Sequence, residues 1–297
     1  MGVSSNRHSV LVVGSSGNLG SSISGYLKNT FNVYETYFSN PFKGGYYLDV
    51  LNADSLASLL NEINPDYVIN CCGYTDVDSA EDERRICHDL NVVSVQNILK
   101  MIKVETKLIH ISTDYVFDGK KGNYVELDVP NPINYYGKTK HEAENLIRGS
   151  NKKYIIFRVS VPYEFSENKN NFFMWAYNNL INEKNIQVVD DQISNPTYIP
   201  AFAEVIFKSI VMDLEGLFHY GSCDSISRYK FSLIMSKVFN CPLSKIRKIN
   251  TLDLLQKAKR PTNSTLNTSK IEEILNVETY ETEYCIKSIM QEYNLNE

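Results

Sequence analysis

Tyr136 and Lys140 stand four residues apart in NYYGKTK. On a helix, positions i and i+4 share a face, so the phenol and the ammonium can point into one space. A lysine charge beside a tyrosine favours the phenolate and lowers the tyrosine pKa, which suits proton donation and acceptance near neutral pH. Upstream, Thr113 follows an apolar run, LIHIS, that reads as a buried strand, and its hydroxyl could complete a site for a carbonyl oxygen. The alternative for Tyr-x-x-x-Lys alone is an ordinary solvated helix face.

A second chemical signal lies near the start. SVLVVG reads as a short strand, GSSGNLG supplies Gly14, Gly17 and Gly20, and LGSSISGYLKN continues at helical spacing. Strand, glycine turn and helix form the context of a dinucleotide-binding fingerprint. The glycines let the backbone turn and approach a pyrophosphate, which the helix N-terminus favours. The spacing is Gly-x-x-Gly-x-x-Gly, and a glycine turn without a ligand is the alternative. The second strand, NVYETYF, ends in Tyr37, Phe38 and Ser39, with Glu35 too early to hold ribose hydroxyls. Without a terminal carboxylate a 2′-phosphate is not repelled, so NADP(H) is expected and NAD(H) stays open.

The elements that must position these residues alternate. YYLDV reads as a short strand carrying Asp49, Asp54 as the cap of a helix over SLASLLNEI, and PDYVINCCG as a buried strand. A helical region from YTDVDSAED through LKMI follows, then the strands KLIHISTDYVF and KKYIIFRVS on either side of the Tyr136 helix. Alternation of this kind implies parallel βαβ units, with ligands outside the carboxyl ends of the strands. Gly14, Gly73 and Thr113 should therefore face one crevice. Further on, FFMWAYNNLI, AFAEVIFKSIVM and RYKFSLIMSKVF read as helices, IQVVDDQISNPTYIP as a strand and proline turn, and SENKNN as a polar loop. The expected fold class is α/β, a Rossmann-like doubly wound parallel sheet with a smaller interwoven C-terminal lobe. Residues 1–164 form the dinucleotide-binding domain, to which 186–222 return; 165–185 and 223–297 form the second lobe.

At 297 residues, 43% hydrophobic and 22% charged, the chain has the composition of a soluble globular protein. Its net charge of −5, with no basic cluster, argues against nucleic acid as a partner. The six cysteines, Cys71, Cys72, Cys87, Cys223, Cys241 and Cys285, show no C-x-x-C spacing and no paired histidines. Reduced thiols in a cytoplasmic protein, with no metal site, are expected. The adjacent Cys71 and Cys72 could form a redox pair, although small buried side chains are the simpler reading. The leader MGVSSNRHS has no apolar signal core, and Asn6 stands where myristoylation at Gly2 would want serine or threonine. No run is long enough to span a membrane.

GSSGNLG, YTDVDSAE, STDYVFDG, YYGKTK with the trailing HEAE, KNNF, DDQISNPT and KRPTNSTLNTSK, taken together, resemble the dTDP-4-dehydrorhamnose reductases of the extended short-chain dehydrogenase/reductase superfamily. These segments run from Gly14 to Lys270, nearly the whole chain; STDYVFDG followed by YGKTK is the specific part. The resemblance implies Thr113, Tyr136 and Lys140 as catalytic residues. It implies reduction of the 4-keto group of a nucleotide-linked 6-deoxy-hexose, with hydride from NADPH and a proton from Tyr136. Thr113 would hydrogen-bond the carbonyl oxygen or the tyrosine hydroxyl, and Lys140 would also bind the nicotinamide ribose. Implied cofactor contacts are Gly14, Ser16, Gly17, Asn18, Leu19 and Gly20 on the turn, with Ser39, Asp49, Val50, Cys71, Cys72, Gly73, Tyr136 and Lys140. Implied substrate contacts are Thr75, Val77, Thr113, Asp114, Tyr115 and Asn171, with Asp191 and Gln192 as polar ligands and Arg260 for the diphosphate. From the residues alone, Asp191 and Gln192 could simply cap a turn, and Arg260 could be a surface charge.

The chain departs from the family in reading RVSVPYE, with Val161 where a tryptophan of an RTSWVYG-like stretch is usual. That leaves the sugar open more than the chemistry. Trp175, the only tryptophan, could fill the space or be a core aromatic. Two alternatives accompany the reductase. The regulatory β subunit of methionine adenosyltransferase is similar, with a (S/T)DYVFDG-like stretch and YGKTK, and would bind NADP and a partner without turnover; DDQISNPT favours the reductase. Bifunctional epimerase-reductases resembling GDP-fucose synthase carry a cysteine shortly after the serine-threonine pair. Tyr115 stands in that region here, so a separate 3,5-epimerase is expected to supply the substrate. A homodimer is possible.

Overall fold

The structure, a computed structural model, describes residues 7–166 and 171–295. The leader through Asn6, with the Gly2 expectation, and most of the SENKNN loop lie outside the described residues.

The first half alternates β1 (Ser9–Val13), α1 (Asn18–Leu27), β2 (Asn32–Tyr37), β3 (Tyr46–Tyr47), α2 (Ala53–Ile63), β4 (Tyr67–Asn70), α3 (Arg84–His88) and α4 (Ser94–Met101). One π-helical turn, Asp89–Val93, joins the last two. Then come β5 (Lys107–Thr113), α5 (Tyr135–Arg148), β6 (Tyr154–Val159) and β7 (Pro162–Tyr163). The second half runs α6 (Phe172–Ile181), β8 (Ile186–Val189), β9 (Ile193–Ser194), β10 (Thr197–Tyr198), α7 (Ile199–Val211), β11 (Gly216–Tyr220), β12 (Ile226–Ser227), α8 (Arg228–Val238), β13 (Ile246–Ile249), α9 (Ser269–Leu275) and α10 (Thr282–Leu295).

Seven strands form one parallel sheet in the order β11-β6-β5-β4-β1-β2-β3. This is the Rossmann-like arrangement. Both faces are covered: Val10, Val12, Ile109 and Phe157 pack with α1 and α7 on one side, and Leu11, Val68, Leu108 and Ile156 with α2, α4 and α5 on the other. Burial on both faces explains why β4 and β5 read as near-continuous apolar runs. The strand order reverses between β1 and β4, which makes their carboxyl ends the switch point at which such sheets bind ligands.

Three local expectations are corrected. The third strand covers only Tyr46–Tyr47, so Asp49 lies in the turn after it and accepts the Leu51 N–H at 2.9 Å. Asn52, not Asp54, caps α2, accepting from Ser55 N–H; Asp54 sits in the first turn. Ile186–Val189, expected to return to the first lobe, pairs instead with β13 in a separate two-stranded parallel sheet. Its Ile186 and Val188 join Phe173, Phe231 and Ile286 in the core built from α6, α8 and α10. The chain returns to the large sheet through α7 and β11, and α9 also packs there through Ile271 and Leu275.

Candidate active site

The switch point is built around Gly14, in the left-handed region at φ +82°. A Cβ there would meet Cys72 N at 3.1 Å and Cys71 C at 3.3 Å, so the glycine lets the ends of β1 and β4 converge. At Gly20 a Cβ would lie 2.4 Å from Gly14 O, so this glycine seats α1 against the turn. Gly17 differs: it is exposed, its φ is −80°, and an added Cβ would touch only Gly14 O, at 3.4 Å. The fold itself makes no demand for glycine at that position. A backbone turn at the head of α1 with glycine at its exposed position fits a dinucleotide pyrophosphate. Ser16 is half-buried on this turn, Asn18 and Leu19 open α1, and Leu19 also lines the crevice below.

Beyond β2, Ser39 is exposed and Phe38 stacks on Tyr47, with ring centroids 6.0 Å apart. Glu35 pairs at 2.5 Å with Lys28, just past the end of α1. Val50 is 5% exposed and packs in the core, and Asp49 closes its own turn.

At the carboxyl ends of β4 and β5 lies a narrow crevice of about 110 Å³, lined by Cys71, Cys72, Gly73, Thr113, Tyr136 and Lys140, among others. Asn134 caps α5 by accepting Gly137 N–H at 2.8 Å and ties it to the second half of the chain by donating to Lys259 O. Gly137 has no room for a side chain, since a Cβ would come within 2.2 Å of Tyr115 O. This close approach sets Tyr136 against the turn after β5, where it lines the crevice together with Thr113. Further along α5, Glu144 accepts from Arg158 Nε at 2.9 Å and Nη2 at 2.6 Å, with both side chains almost wholly buried. The helix carrying Tyr136 and Lys140 is thus clamped to β6.

Lys140 donates to Ile111 O at 2.6 Å and lies 3.4 Å from His110 Nε2. Burial pulls its pKa down to about 8. Burial likewise pushes the Tyr136 phenol up, against the pull of the Thr113 hydroxyl. The expectation that Lys140 lowers the Tyr136 pKa is therefore corrected for this state: desolvation dominates both groups, and the ammonium is engaged by a carbonyl. The buried thiol of Cys71 is pushed up to about 12, so it offers no thiolate base at neutral pH.

Beside the crevice is a pocket of about 420 Å³. Thr75 lines both. Of the expected substrate residues, Thr75, Val77, Tyr115, Gln192 and Arg260 line the pocket. Asp114, Asn171 and Asp191 do not, because each carboxylate or amide is used internally. Asp114 is 2% exposed and accepts from Ser160 at 2.9 Å and Ser264 at 2.5 Å, tying β5 to β6 and to the C-terminal segment. Asn171 caps α6, accepting Met174 N–H at 3.0 Å. Asp191 accepts the N–H and hydroxyl of Thr251. Arg260 is no surface charge: its side chain is 8% exposed and forms a bidentate pair with Asp78 at 2.9 and 2.8 Å.

The pocket also brings in Trp175, Phe172 and Arg228, of which the sequence singles out Trp175 alone. Trp175 is 44% exposed and lines the pocket, which overturns its reading as a core aromatic. Phe172 lies beside it, and the Arg228 guanidinium sits 4.6 Å from the Phe172 ring centroid. Arg228 is the first residue of α8, after the Ser227 cap. A cation at that end opposes the helix dipole, and this was the legible signal that it has another task.

Fold, switch-point glycines and the Thr113–Tyr136–Lys140 cluster define a Rossmann-like protein of the extended short-chain dehydrogenase/reductase type. The RmlD substrate binding domain model matches residues 8–295. A dTDP-4-dehydrorhamnose reductase of Aggregatibacter actinomycetemcomitans is 34% identical, covering 94% of this chain and 97% of that protein. Methionine adenosyltransferase 2 subunit beta of Xenopus tropicalis is 30% identical over 89% of this chain and 81% of that one. Among solved structures, dTDP-4-dehydrorhamnose reductase of Bacillus anthracis in complex with NADP aligns with a TM-score of 0.88 at 27% identity, over 96% of this chain and 99% of that one. The chain belongs to the dTDP-4-dehydrorhamnose reductase (RmlD) family.

Proposed function

We propose that this protein is a reductase of the 4-keto group of a nucleotide-linked 6-deoxy-hexose, using NADPH. The observation that carries the reading is the junction of the two cavities. Thr113, Tyr136 and Lys140 meet in the narrow crevice, and the 420 Å³ pocket beside it is large enough for a nucleotide sugar. The glycine turn at the head of α1 would hold the pyrophosphate, and Cys71, Cys72 and Gly73 would wall the nicotinamide side. A bound reduced nicotinamide supplies hydride to the carbonyl carbon. Tyr136 transfers its hydroxyl proton to the carbonyl oxygen, so the ketone gains one hydride and one proton and becomes a secondary alcohol. Thr113 steadies the developing negative charge by hydrogen bonding, and Lys140 as ammonium stabilises the phenolate left on Tyr136.

For the anionic part of the substrate we assign Arg228. Arg260 is already neutralised by the Asp78 carboxylate, whereas Arg228 faces the same pocket from Phe172 and Tyr115. Trp175 and Phe172 offer a flat apolar wall for a base or a sugar face. Because Glu35 is turned to Lys28 and the residues just past β2 are Phe38 and Ser39, no carboxylate of that segment repels a 2′-phosphate, and NADPH should bind more tightly than NADH. Fluorescence titrations giving NADH the lower dissociation constant would overturn that preference.

The test is NADPH oxidation with dTDP- and UDP-linked 4-keto-6-deoxy-hexoses, with and without a 3,5-epimerase. Stoichiometric oxidation with one of these sugars is expected. The likeness to methionine adenosyltransferase 2 subunit beta supports a second reading, a non-catalytic NADP-binding subunit. Tight NADPH binding with no turnover of any 4-keto sugar nucleotide would favour it.

A further inference from the structure

Behind Lys140 lies a row of buried polar groups that the proposed reaction does not use. Asn70, at the end of β4, is 1% exposed, as is His110 on β5. Cys72 N–H donates to Asn70 Oδ1 at 3.1 Å. Asn70 Nδ2 lies 3.3 Å from His110 Nδ1, and His110 Nε2 lies 3.4 Å from Lys140 Nζ.

The donors and acceptors in this row can be assigned from one fixed end. A backbone N–H can only donate, so the Cys72 N–H requires the Asn70 oxygen on its side. The Asn70 NH₂ is then turned to His110, where Nδ1 must accept. Burial holds the imidazole neutral, so its single proton resides on Nε2, facing Lys140. An N–H aimed at an ammonium is repelled, while a free amine can accept it.

We infer that Asn70 and His110 are a positioning pair that sets the charge state of Lys140: the Nε2–H of His110 points at the lysine nitrogen and favours the free amine over the ammonium. The other groups facing Lys140 do not cancel this. On its own helix, Tyr136 is a neutral phenol, and the Glu144 carboxylate favours the ammonium but is paired with Arg158. From the β4 end Cys71 and Cys72, and from α3 Cys87, present thiols whose pKa values are raised by burial, so they carry no charge at neutral pH. From β5, the Ile111 carbonyl favours the ammonium but carries no net charge. Burial already brings Lys140 to about 8, where a lysine in water would stay charged, and the His110 N–H acts in the same direction. Its importance for turnover rests on the reductase reading; the tautomer and the lysine midpoint do not.

The test uses the full-length protein, with ¹⁵N-labelled histidine and lysine labelled with ¹³C at Cε, the Lys140 signal being identified by its loss in Lys140→Met. The wild type should show the Nε2-protonated tautomer of His110 and a Lys140 midpoint near pH 8. Asn70→Asp replaces the donating NH₂ by an accepting oxygen. It should move the proton to Nδ1, turn the Nε2 lone pair to the ammonium, and raise the Lys140 midpoint by at least one unit. A purely coulombic effect of the new carboxylate would raise the midpoint with the tautomer unchanged, and that result sinks the proposal. A wild-type Nδ1-protonated tautomer does so as well. Should Asn70→Asp fail to fold, His110→Gln, which can offer Lys140 a carboxamide oxygen, must raise the midpoint; an unchanged midpoint there also overturns the inference. If 4-keto sugars are turned over, the alkaline fall in rate should move up with the midpoint, because loss of the ammonium withdraws stabilisation from the Tyr136 phenolate.

Discussion

The crevice around Tyr136 and the pocket beside it are made in different ways. The crevice is walled by the ends of adjacent strands of one sheet and by one helix clamped through Glu144 and Arg158, so its geometry follows from the Rossmann frame. The wider pocket collects Thr75 and Val77 from the first half, Phe172 and Trp175 from α6, Gln192, Arg228 from α8, and Arg260 from the C-terminal segment. On the proposed reading, chemistry would sit on a rigid, buried frame, and recognition on side chains brought in from several separate elements. Substitutions in the crevice should therefore act on turnover or on the fold, and substitutions in the pocket on affinity.

Tyr136→Phe tests the first half of that contrast with the largest effect. One hydroxyl is removed and little volume, so the crevice persists. Turnover should fall by about 10²–10⁴-fold with NADPH affinity nearly unchanged. Equal rates for variant and wild type on a 4-keto sugar nucleotide would show that the proton comes from elsewhere.

The clamp is next. Glu144→Gln leaves the buried Arg158 charge without its carboxylate and should cost about 3–5 kcal/mol of stability in urea titrations. Burial alone would raise the Glu144 pKa, but hydrogen bonds from Arg158 and Ser112, with the Arg158 charge, bring it down to about 2. A folded pKa below the unfolded value means that this stabilisation is complete above about pH 4.5 and is lost as pH falls towards 2. A variant as stable as the wild type at pH 7 would show that the pair does not hold α5.

Arg228→Leu tests the second half. Losing a charged hydrogen-bond donor from the pocket should raise KM for the sugar nucleotide by roughly 10–100-fold, with kcat little changed. Asp78→Asn, which weakens the hold on Arg260, should affect stability more than KM. The reverse pattern would return the anion-binding role to Arg260.

The same contrast explains what could be read in the sequence. The strands, the glycine turn and Tyr136–Lys140 were legible because each signal is local: an apolar run, a spacing of glycines, an i, i+4 pair. Gly137 stands inside that motif, yet its necessity comes from the approach of Tyr115 O, a contact that no spacing reveals. The pocket was legible only in part. Asp191 and Asn171 stand in motif-like stretches but spend their oxygens on Thr251 and Met174 N–H groups. Trp175 and Arg228 depend on how α6 and α8 are rotated towards the cavity, which is decided by the packing of Phe173 and Phe231 behind them. The strand at Ile186–Val189 was recognised, but its partner β13 lies some sixty residues later, and sequence alternation does not specify pairing in a two-stranded sheet.

The smallest expected effect separates the two kinds of glycine in the turn, and through them the demands of the fold from the demands of a ligand. Gly20→Ala places a Cβ 2.4 Å from Gly14 O, so α1 must shift and the protein should lose stability with or without cofactor. Gly17→Ala adds the same methyl group at φ −80°, where an L side chain is unstrained and the contact with Gly14 O, at 3.4 Å, is an ordinary one. Its stability should therefore match or slightly exceed that of the wild type, since alanine narrows the unfolded ensemble. A pyrophosphate resting on the turn would meet that methyl group, and accommodating it should cost about 1–3 kcal/mol, raising the NADPH dissociation constant by roughly tenfold or more. Calorimetric titration of NADPH into the two variants decides the matter. If Gly17→Ala binds as tightly as the wild type while remaining folded, the pyrophosphate does not lie over this turn.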